Sequence, residues 1–255
     1  MADRSFSDLS LAALYDTLNP WGPAEDFYLD LVLSARSVLD VGCGTGQLLG
    51  RARETGHEGR LCGLDPAAAM LVQARRRADV EWVLGDLTTT RWEREFDLVV
   101  MTGHAFQVLL TDGELRLALA AARRALGEDG RFVFETRNPA VRAWESWTPE
   151  RAREATDAHG EVVRVRHDVE TPVAGDRVTF TETFEHPRWD RPRMSRSTLR
   201  FLGPAALDGF LTEAGFAVHE RFGDWRRGPF TPTAPEIITV ARPRESSPRP
   251  GPGDQ

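Results

Sequence analysis

The segment Val38–Gln47, VLDVGCGTGQ, holds the densest set of residues that could do chemistry. Gly42, Gly44 and Gly46 alternate there, directly behind a short apolar run. Glycines so placed permit positive φ and let a ligand approach the backbone, and a helix starting at their end offers free N–H groups. Gly42 and Gly46 also suit tight strand–helix packing without any ligand. The spacing departs from the GxGxxG of dinucleotide binders, because the third glycine arrives one residue early, at Gly46 rather than at Gln47. Three acids complete the pattern. Asp40 stands just before the glycines, where a carboxylate can face an ammonium group. Asp65 closes the next apolar run, where an acid in such folds accepts hydrogen bonds from both ribose hydroxyls, and Asp86 in GDL (85–87) is placed to meet an adenine amino group. Asp65 reads equally as a helix N-cap, and Asp86 as a plain turn acid. No basic residue accompanies these acids, so the expected cleft repels a pyrophosphate and favours a cation.

The elements that must position these residues follow from periodicity. Apolar runs at Ser37–Val41, Arg60–Leu64, Val80–Leu84, Asp97–Met101 and Gly130–Glu135 alternate with amphipathic stretches, which predicts βαβ units and a parallel sheet. Helices are expected over Gly46–Thr55, Ala67–Arg77 (Asp65 capping, Pro66 in the first turn) and Asp112–Gly127 (Asp112 capping). From Asn138 to about Leu202 the period changes to two. EVVRVRHDVE (161–170) and RVTFTETFEH (177–186) flank the turn signal PVAGD (172–176), which predicts an antiparallel hairpin, with Arg196–Leu202 as a further strand. A helix over Pro204–Gly215 and a closing pair, Phe216–Phe222 and Glu236–Val240, follow. The expected units are 1–36, an N-terminal helical cap; 37–137, a ligand-binding core; 138–202, an antiparallel β insertion; 203–242, a helix and strands completing the core sheet; and 243–255, a Pro/Gly/Ser-rich disordered tail.

Composition narrows the function classes. The chain's 255 residues carry 39 acidic against 32 basic side chains, a formal net charge of −7, which disfavours nucleic acid as a main ligand. All the basic side chains other than histidine are arginine; the absence of lysine removes Schiff-base chemistry and the P-loop lysine. Cys43 and Cys62 form no CxxC pair and the six histidines no HExxH, so no metal site is expected. The start lacks a basic, apolar leader and no run approaches a membrane span, so a cytoplasmic protein, monomer or homodimer, without membrane contact is expected.

A sulfonium carrying an ammonium fits the acid-ringed loop, which argues for S-adenosylmethionine over a nicotinamide dinucleotide. VLDVGCGTG, LCGLDPAAAML, VLGDL and FDLVVMTGHAFQVL, in this order, resemble the class I S-adenosylmethionine-dependent methyltransferases over roughly Val38–Glu135, and GFAVHERFGDW resembles their small-molecule members. The resemblance implies an α/β, Rossmann-like, doubly wound seven-stranded sheet with its last strand antiparallel. The β insertion at 138–202 is expected to be an acceptor lid, because insertions at the C-terminal ends of strands build specificity. The resemblance also implies that Asp40, Gly42, Gly44 and Gly46 hold the methionine part and that Asp65 binds the ribose. Pro66 and Met70 would lie near the adenine, Asp86 and Leu87 at its edge, and Thr102, Gly103 and His104 beside the sulfonium. Met70 beside Leu71 reads equally as core. The implied reaction is N- or O-methylation of a small-molecule acceptor; the same motifs would serve cyclisation of the cofactor, transfer of its aminocarboxypropyl arm, or a non-catalytic binding module. His104, whose type titrates near pH 6.5, suits proton removal, or it orders its loop. Tyr15 would close over the cofactor from an N-terminal helix and join catalysis, or be a core tyrosine. Glu135, Arg137 and Asn138, past the fifth strand, would bind a polar acceptor. Trp144, Trp147 and Trp189 would line a pocket or form the insertion's own core, and the arginines of RWDRPRMSR (188–196) would attract an acidic acceptor or form a solvated surface.

Overall fold

A computed structural model describes residues 3–173 and 175–244. Seven strands form the main sheet: β1 (Ser37–Val41), β2 (Arg60–Asp65), β3 (Glu81–Leu84), β4 (Phe96–Met101), β5 (Leu126–Arg137), β10 (Phe216–Phe222) and β11 (Glu236–Pro243). Their order is β10-β11-β5-β4-β1-β2-β3. β1 to β5 pair in parallel, while β11 runs antiparallel to both β5 and β10. The chain moves outward from β1 through β3 and then returns to β4, so the winding reverses between β1 and β4 and opens a crevice at their C-terminal ends. That crevice receives the glycine loop.

Alternation along the strands fills two cores. Leu39, Val41, Val99 and Phe134 pack with Leu115, Leu119 and Ala122 of α7 (Asp112–Ala125) and Leu207 and Leu211 of α8 (Pro204–Glu213). Val38, Leu98, Val100 and Val133 face the other way, onto Phe27, Tyr28, Leu31 and Val32 of α4 (Pro23–Leu33) and Leu48, Leu49 and Ala52 of α5 (Gln47–Glu54). The sheet is therefore covered on both faces, as a mostly parallel sheet requires. The cap of α7 is Thr111 rather than Asp112: its hydroxyl accepts from the Glu114 N–H while the Glu114 carboxylate accepts from the Thr111 N–H. β5 is longer than its apolar run because Leu126 already pairs with Phe96 before a register shift.

The insertion forms a separate four-stranded antiparallel sheet in the order β6-β7-β8-β9, from β6 (Arg153–Thr156), β7 (Val162–Val169), β8 (Arg177–Glu185) and β9 (Arg193–Arg200). β6, four residues long, carries too little alternation to be read from sequence. Trp144 packs with Val178 and Phe201, Trp147 meets Phe180, and Trp189 joins Leu11, Val165 and Phe184, so the tryptophans belong to the insertion's own core. The short helices α1 (Arg4–Ser7), α2 (Leu9–Ala12) and α3 (Tyr15–Leu18) clip this sheet to the main one: the Ser195 hydroxyl accepts from the Ser5 N–H at 2.9 Å and Arg193 pairs with Asp8 at 2.6 Å. The expected tail from 243 is corrected at its start, since Pro243 pairs with Phe216 inside the sheet; 245–255 lie outside the described residues. No helix among the described residues is long and apolar enough to cross a membrane.

β2 and β3 meet at a tight contact, where a β-carbon on Gly63 would lie 2.5 Å from the Trp82 ring and 2.8 Å from the Cys43 sulfur. Gly63→Ala is therefore expected to destabilise the fold by about 1–3 kcal/mol in urea unfolding, with Trp82→Leu in the same chain restoring part of the loss. An unchanged midpoint would show that the indole is free to move.

Candidate functional site

The loop after β1 places Gly42, Gly44 and Gly46 at φ of 78°, 57° and 78°, all in the left-handed region. A side chain on Gly42 would press on Ala105 at 3.0 Å, and one on Gly46 would collide with Trp82. At Gly44 nothing lies within 4 Å. Gly42 and Gly46 are thus tied to strand–helix packing, while Gly44 opens onto free space.

Asp40 is 1% exposed, and its Oδ1 is buried without a hydrogen-bond partner. Burial, with the nearby carboxylates of Asp65 and Glu135, pushes its pKa up to about 8. Asp65 accepts from the Gly44 N–H through Oδ2 and from the Ala67 N–H through Oδ1, both at 2.8 Å. It therefore braces the glycine loop against the start of α6 (Ala68–Ala74). It is not the helix cap, which is Ala67, and Pro66 lies exposed in the loop before the helix rather than in its first turn. Burial raises the Asp65 pKa against these two N–H donors. Asp86 is exposed, and its Oδ1 accepts from Thr88 N–H, Thr88 Oγ1 and Thr89 N–H. Partial burial works to raise its pKa, but the Thr88 and Thr89 hydrogen bonds outweigh it and lower the value. Met70 is buried beside Ala12 and Ala67, which fits its reading as core, and the Leu87 side chain lies in the main core.

A cleft of about 370 Å³ opens beside the loop. Tyr15, Thr102, Gly103, His104, Glu135 and Arg137 all line it, together with Tyr28, Arg153 and Trp225. The loop glycines and Asp40, Asp65 and Asp86 are not among its lining residues; Leu48, two positions past Gly46 in α5, is, and the Tyr15 hydroxyl lies 3.7 Å from where a Gly103 β-carbon would sit. Burial, with Asp16 and Asp65 nearby, pushes the Tyr15 phenol up to about 12, so it is a hydrogen-bond donor and not a base. His104 adopts φ 61°, a left-handed conformation that costs a non-glycine residue about 1–2 kcal/mol. Two bonds hold it there: its N–H donates to Glu135 Oε1 at 2.7 Å, and its Nε2 meets Glu236 Oε2 at 3.0 Å. With Nε2–H donated to Glu236, the lone pair resides on Nδ1.

Glu135 is fully buried, and its second oxygen accepts from the Tyr28 hydroxyl. Desolvation raises its pKa while His104 and Tyr28 act to lower it; the Tyr28 phenol is driven well above its usual range by burial and then by Glu135. Both Glu135 oxygens are therefore engaged with protein. Asn138 is corrected outright. It is buried, it is not part of the cleft lining, and its amide donates to the Pro232 and Ala234 carbonyls and accepts from the Ala140 N–H. Arg137 does face the cleft: its Nη1 donates to Gln107 Oε1 at 3.0 Å, and its guanidinium lies 5.2 Å from the centre of Trp147. The cleft lining thus includes Arg137, one of the residues expected to meet the acceptor, and Arg153, beside Glu25 and Glu135. Of the arginines at 188–196, Arg188, Arg193 and Arg196 pair with Glu161, Asp8 and Glu170, which fits a structural surface. Sequence reading missed Tyr28, Gln107, Arg153, Trp225 and Glu236; the one available signal was that Tyr28 and Tyr15 are the chain's two tyrosines.

Residues 38–130 match a family profile described as a methyltransferase domain. Among curated proteins, 2-phytyl-1,4-naphtoquinone methyltransferase of Thermosynechococcus vestitus is 41% identical over 90 residues, 30% of this chain and 40% of that protein. The chain spans less than half the length of the curated relatives it matches, from 29% to 44%. Among solved structures, the CcbJ methyltransferase of Streptomyces caelestis superposes with a TM-score of 0.71 at 22% identity, covering 94% of this chain and 98% of that one. The sugar N-methyltransferase KedS8 of Streptoalloteichus gives 0.71 at 20% identity, with 91% and 92% covered. At these identities the structural likeness is one of fold.

A carboxyl whose pKa is raised on folding gives stability that is complete below its unfolded value near 3.9 and lost as pH climbs through the folded value, here about 8. Asp40→Asn cannot ionise and is expected to flatten that decline. Its Tm should exceed the parent's by several degrees at about pH 9 and by much less at about pH 5 in scanning calorimetry. Parallel curves for the two chains would refute the buried, partnerless carboxyl.

Proposed function

We propose that this chain, whose residues 38–130 form a methyltransferase domain of the S-adenosylmethionine-dependent, Rossmann-like kind, transfers the methyl group of that cofactor to a small-molecule acceptor. The observation that carries the reading is the partnerless Asp40 carboxyl beside a glycine loop open at Gly44. A buried carboxyl without a partner is costly, and a ligand ammonium would satisfy it. The residues present fit the cofactor: Asp40 would take the ammonium, the open backbone at Gly44 the methionine part, Asp65 the ribose hydroxyls, and Asp86 the adenine amino group. Thr102 and Gly103 would border the sulfur. When bound, the cofactor supplies a methyl carbon activated by a cationic sulfur.

The chain's own residues would do the rest. Tyr15 closes over the cleft from α3 and donates a hydrogen bond. His104 Nδ1 takes the acceptor's proton, and Glu236 holds the ring in the tautomer that leaves that nitrogen free and stabilises the imidazolium that results. Glu135 positions the His104 backbone. The four-stranded sheet acts as the acceptor lid, with Trp147 and Arg153 reaching the cleft region from the 138–202 unit. Two buried free thiols, Cys43 and Cys62, suit a reducing compartment, and we place the protein in the cytoplasm.

Asp65→Ala is expected to weaken adenosylhomocysteine by roughly ten- to a hundredfold in calorimetry, since charge-assisted hydrogen bonds contribute about 1.5–3 kcal/mol; equal affinity would refute the ribose role. Pairing Asp40 with an ammonium lowers its pKa from about 8, so binding should release a proton below that pH. Affinity should then rise up to about tenfold per pH unit between roughly pH 6 and 8, with heats that depend on the buffer's ionisation enthalpy; pH-independent binding would remove Asp40 as the ammonium partner. His104→Gln should lower kcat about a hundredfold or more with little change in adenosylhomocysteine affinity. Mass spectrometry of the products decides the reaction: adenosylhomocysteine with a methylated acceptor supports it, whereas methylthioadenosine would show non-methylating use.

A further inference from the structure

Arg137 and Arg153 are the part of the cleft that methyl transfer itself does not require. Arg137 is held rigidly, with Gln107 accepting from both its backbone N–H and its Nη1 and the Trp147 ring lying under the guanidinium. Gln107 is in turn fixed by donating to the Arg200 carbonyl. Two other shielded arginines meet carboxylates, Arg200 with Asp176 and Asp112 and Arg221 with Asp208, while half-buried Arg53 donates to the Asp79 carbonyl and Arg131 to the Ser34 hydroxyl. Among the described residues, Arg137 and Arg153 have no carboxylate within 4.0 Å. The acids in electrostatic reach of Arg137 are Glu236 and Glu135, and both are already engaged, by His104 and by His104 with Tyr28. Desolvation, with Arg153 adding to it, works against the charge on Arg137. A preset guanidinium fork beside a second cation, both lining a cavity, is the arrangement that recognises a planar or tetrahedral oxyanion.

We propose that the acceptor carries a compact oxyanion, a carboxylate or a phosphate, clamped between Arg137 and Arg153. This rests on the methyltransferase reading, since it names the chemical class of that reaction's substrate. Arg137 sets the orientation through its fixed plane, and Arg153, exposed on β6, supplies the second charge from the lid, so that occupation of the site ties the four-stranded sheet to the main one.

The test titrates benzoate, phenyl phosphate and benzamide into the protein saturated with adenosylhomocysteine, by calorimetry. At least one anion is expected to bind ten- to a hundredfold more tightly than benzamide, and the tighter of the two identifies the oxyanion. Arg153→Gln, at an exposed strand position, should erase most of that preference while adenosylhomocysteine affinity stays within twofold. Arg137→Lys, which keeps the charge but loses the fork, should weaken the anion as well. Benzamide binding as tightly as the anions, no anion binding, or a preference that survives Arg153→Gln would each overturn the clamp and leave the methyltransferase reading standing. Absence of adenosylhomocysteine binding would instead overturn that reading, and the clamp with it.

Discussion

The structure turns on a carboxyl that the protein buries and does not satisfy. Asp40 sits on the strand where the winding reverses, paired in register with Gly63 on one side and Val100 on the other, and it is 1% exposed with Oδ1 buried and unpartnered. Asp65 and Glu135 stand near enough to raise its pKa further rather than relieve it. A fold that is marginally stable retains such an arrangement only where something else gains by it. A bound cation would convert this group from a liability into an anchor. The same geometry explains why the glycine loop is held from outside, by Asp65 gripping the Gly44 N–H, rather than by bonds of its own to Asp40.

Glu135 performs the corresponding task on the other side of the switch. It stands near the end of β5 and reaches α4 through Tyr28 and the loop after β4 through the His104 N–H. The left-handed backbone of His104 is held by that bond, and its ring by Glu236 from β11, which pairs with Arg137 in the sheet register. One antiparallel strand beside β5 therefore sets the ring, while the neighbouring guanidinium of Arg137 is held by Gln107 and Trp147. Shifting that register by one residue would move Glu236 to the other face of the sheet.

The strand–loop–helix frame round the glycines was legible because its signals are local. A glycine spacing, an acid at each strand end and a period that switches from 3.6 to 2 all lie within a few residues, and strands and helices fall within a few positions of where periodicity puts them. What was not legible depends on long-range contacts. Nothing near Glu236 announces that it meets His104, 132 residues away. Nothing in Asn138 distinguishes a residue aimed at the cleft from one whose amide ties down the loop at 232–234. The Leu87 and Met70 side chains point inward, and a motif does not specify which way a side chain faces. The cap of α7 was misread by one residue because Thr111 and Asp112 are both good cap types, and the reciprocal bond with Glu114 selects the former.

The acids lie at the loop, and the cleft beside it also carries basic charge. Reading only the residues around the glycine loop gives a site of acids, and that remains true of the loop. The cleft beside it has a second end, built from β5 and the lid, where Arg137 and Arg153 stand within electrostatic reach of each other. Two like charges are brought together there at a cost, as the acids are at the loop. The acids at the loop suit a cation. Arg137, which has Glu236 and Glu135 as well as Arg153 in electrostatic reach, and Arg153 suit an anion, so the two regions are complementary to a pair of ligands rather than one. Arg153 comes from the four-stranded sheet and Arg137 from β5, so an acceptor bound to both would bridge the two sheets.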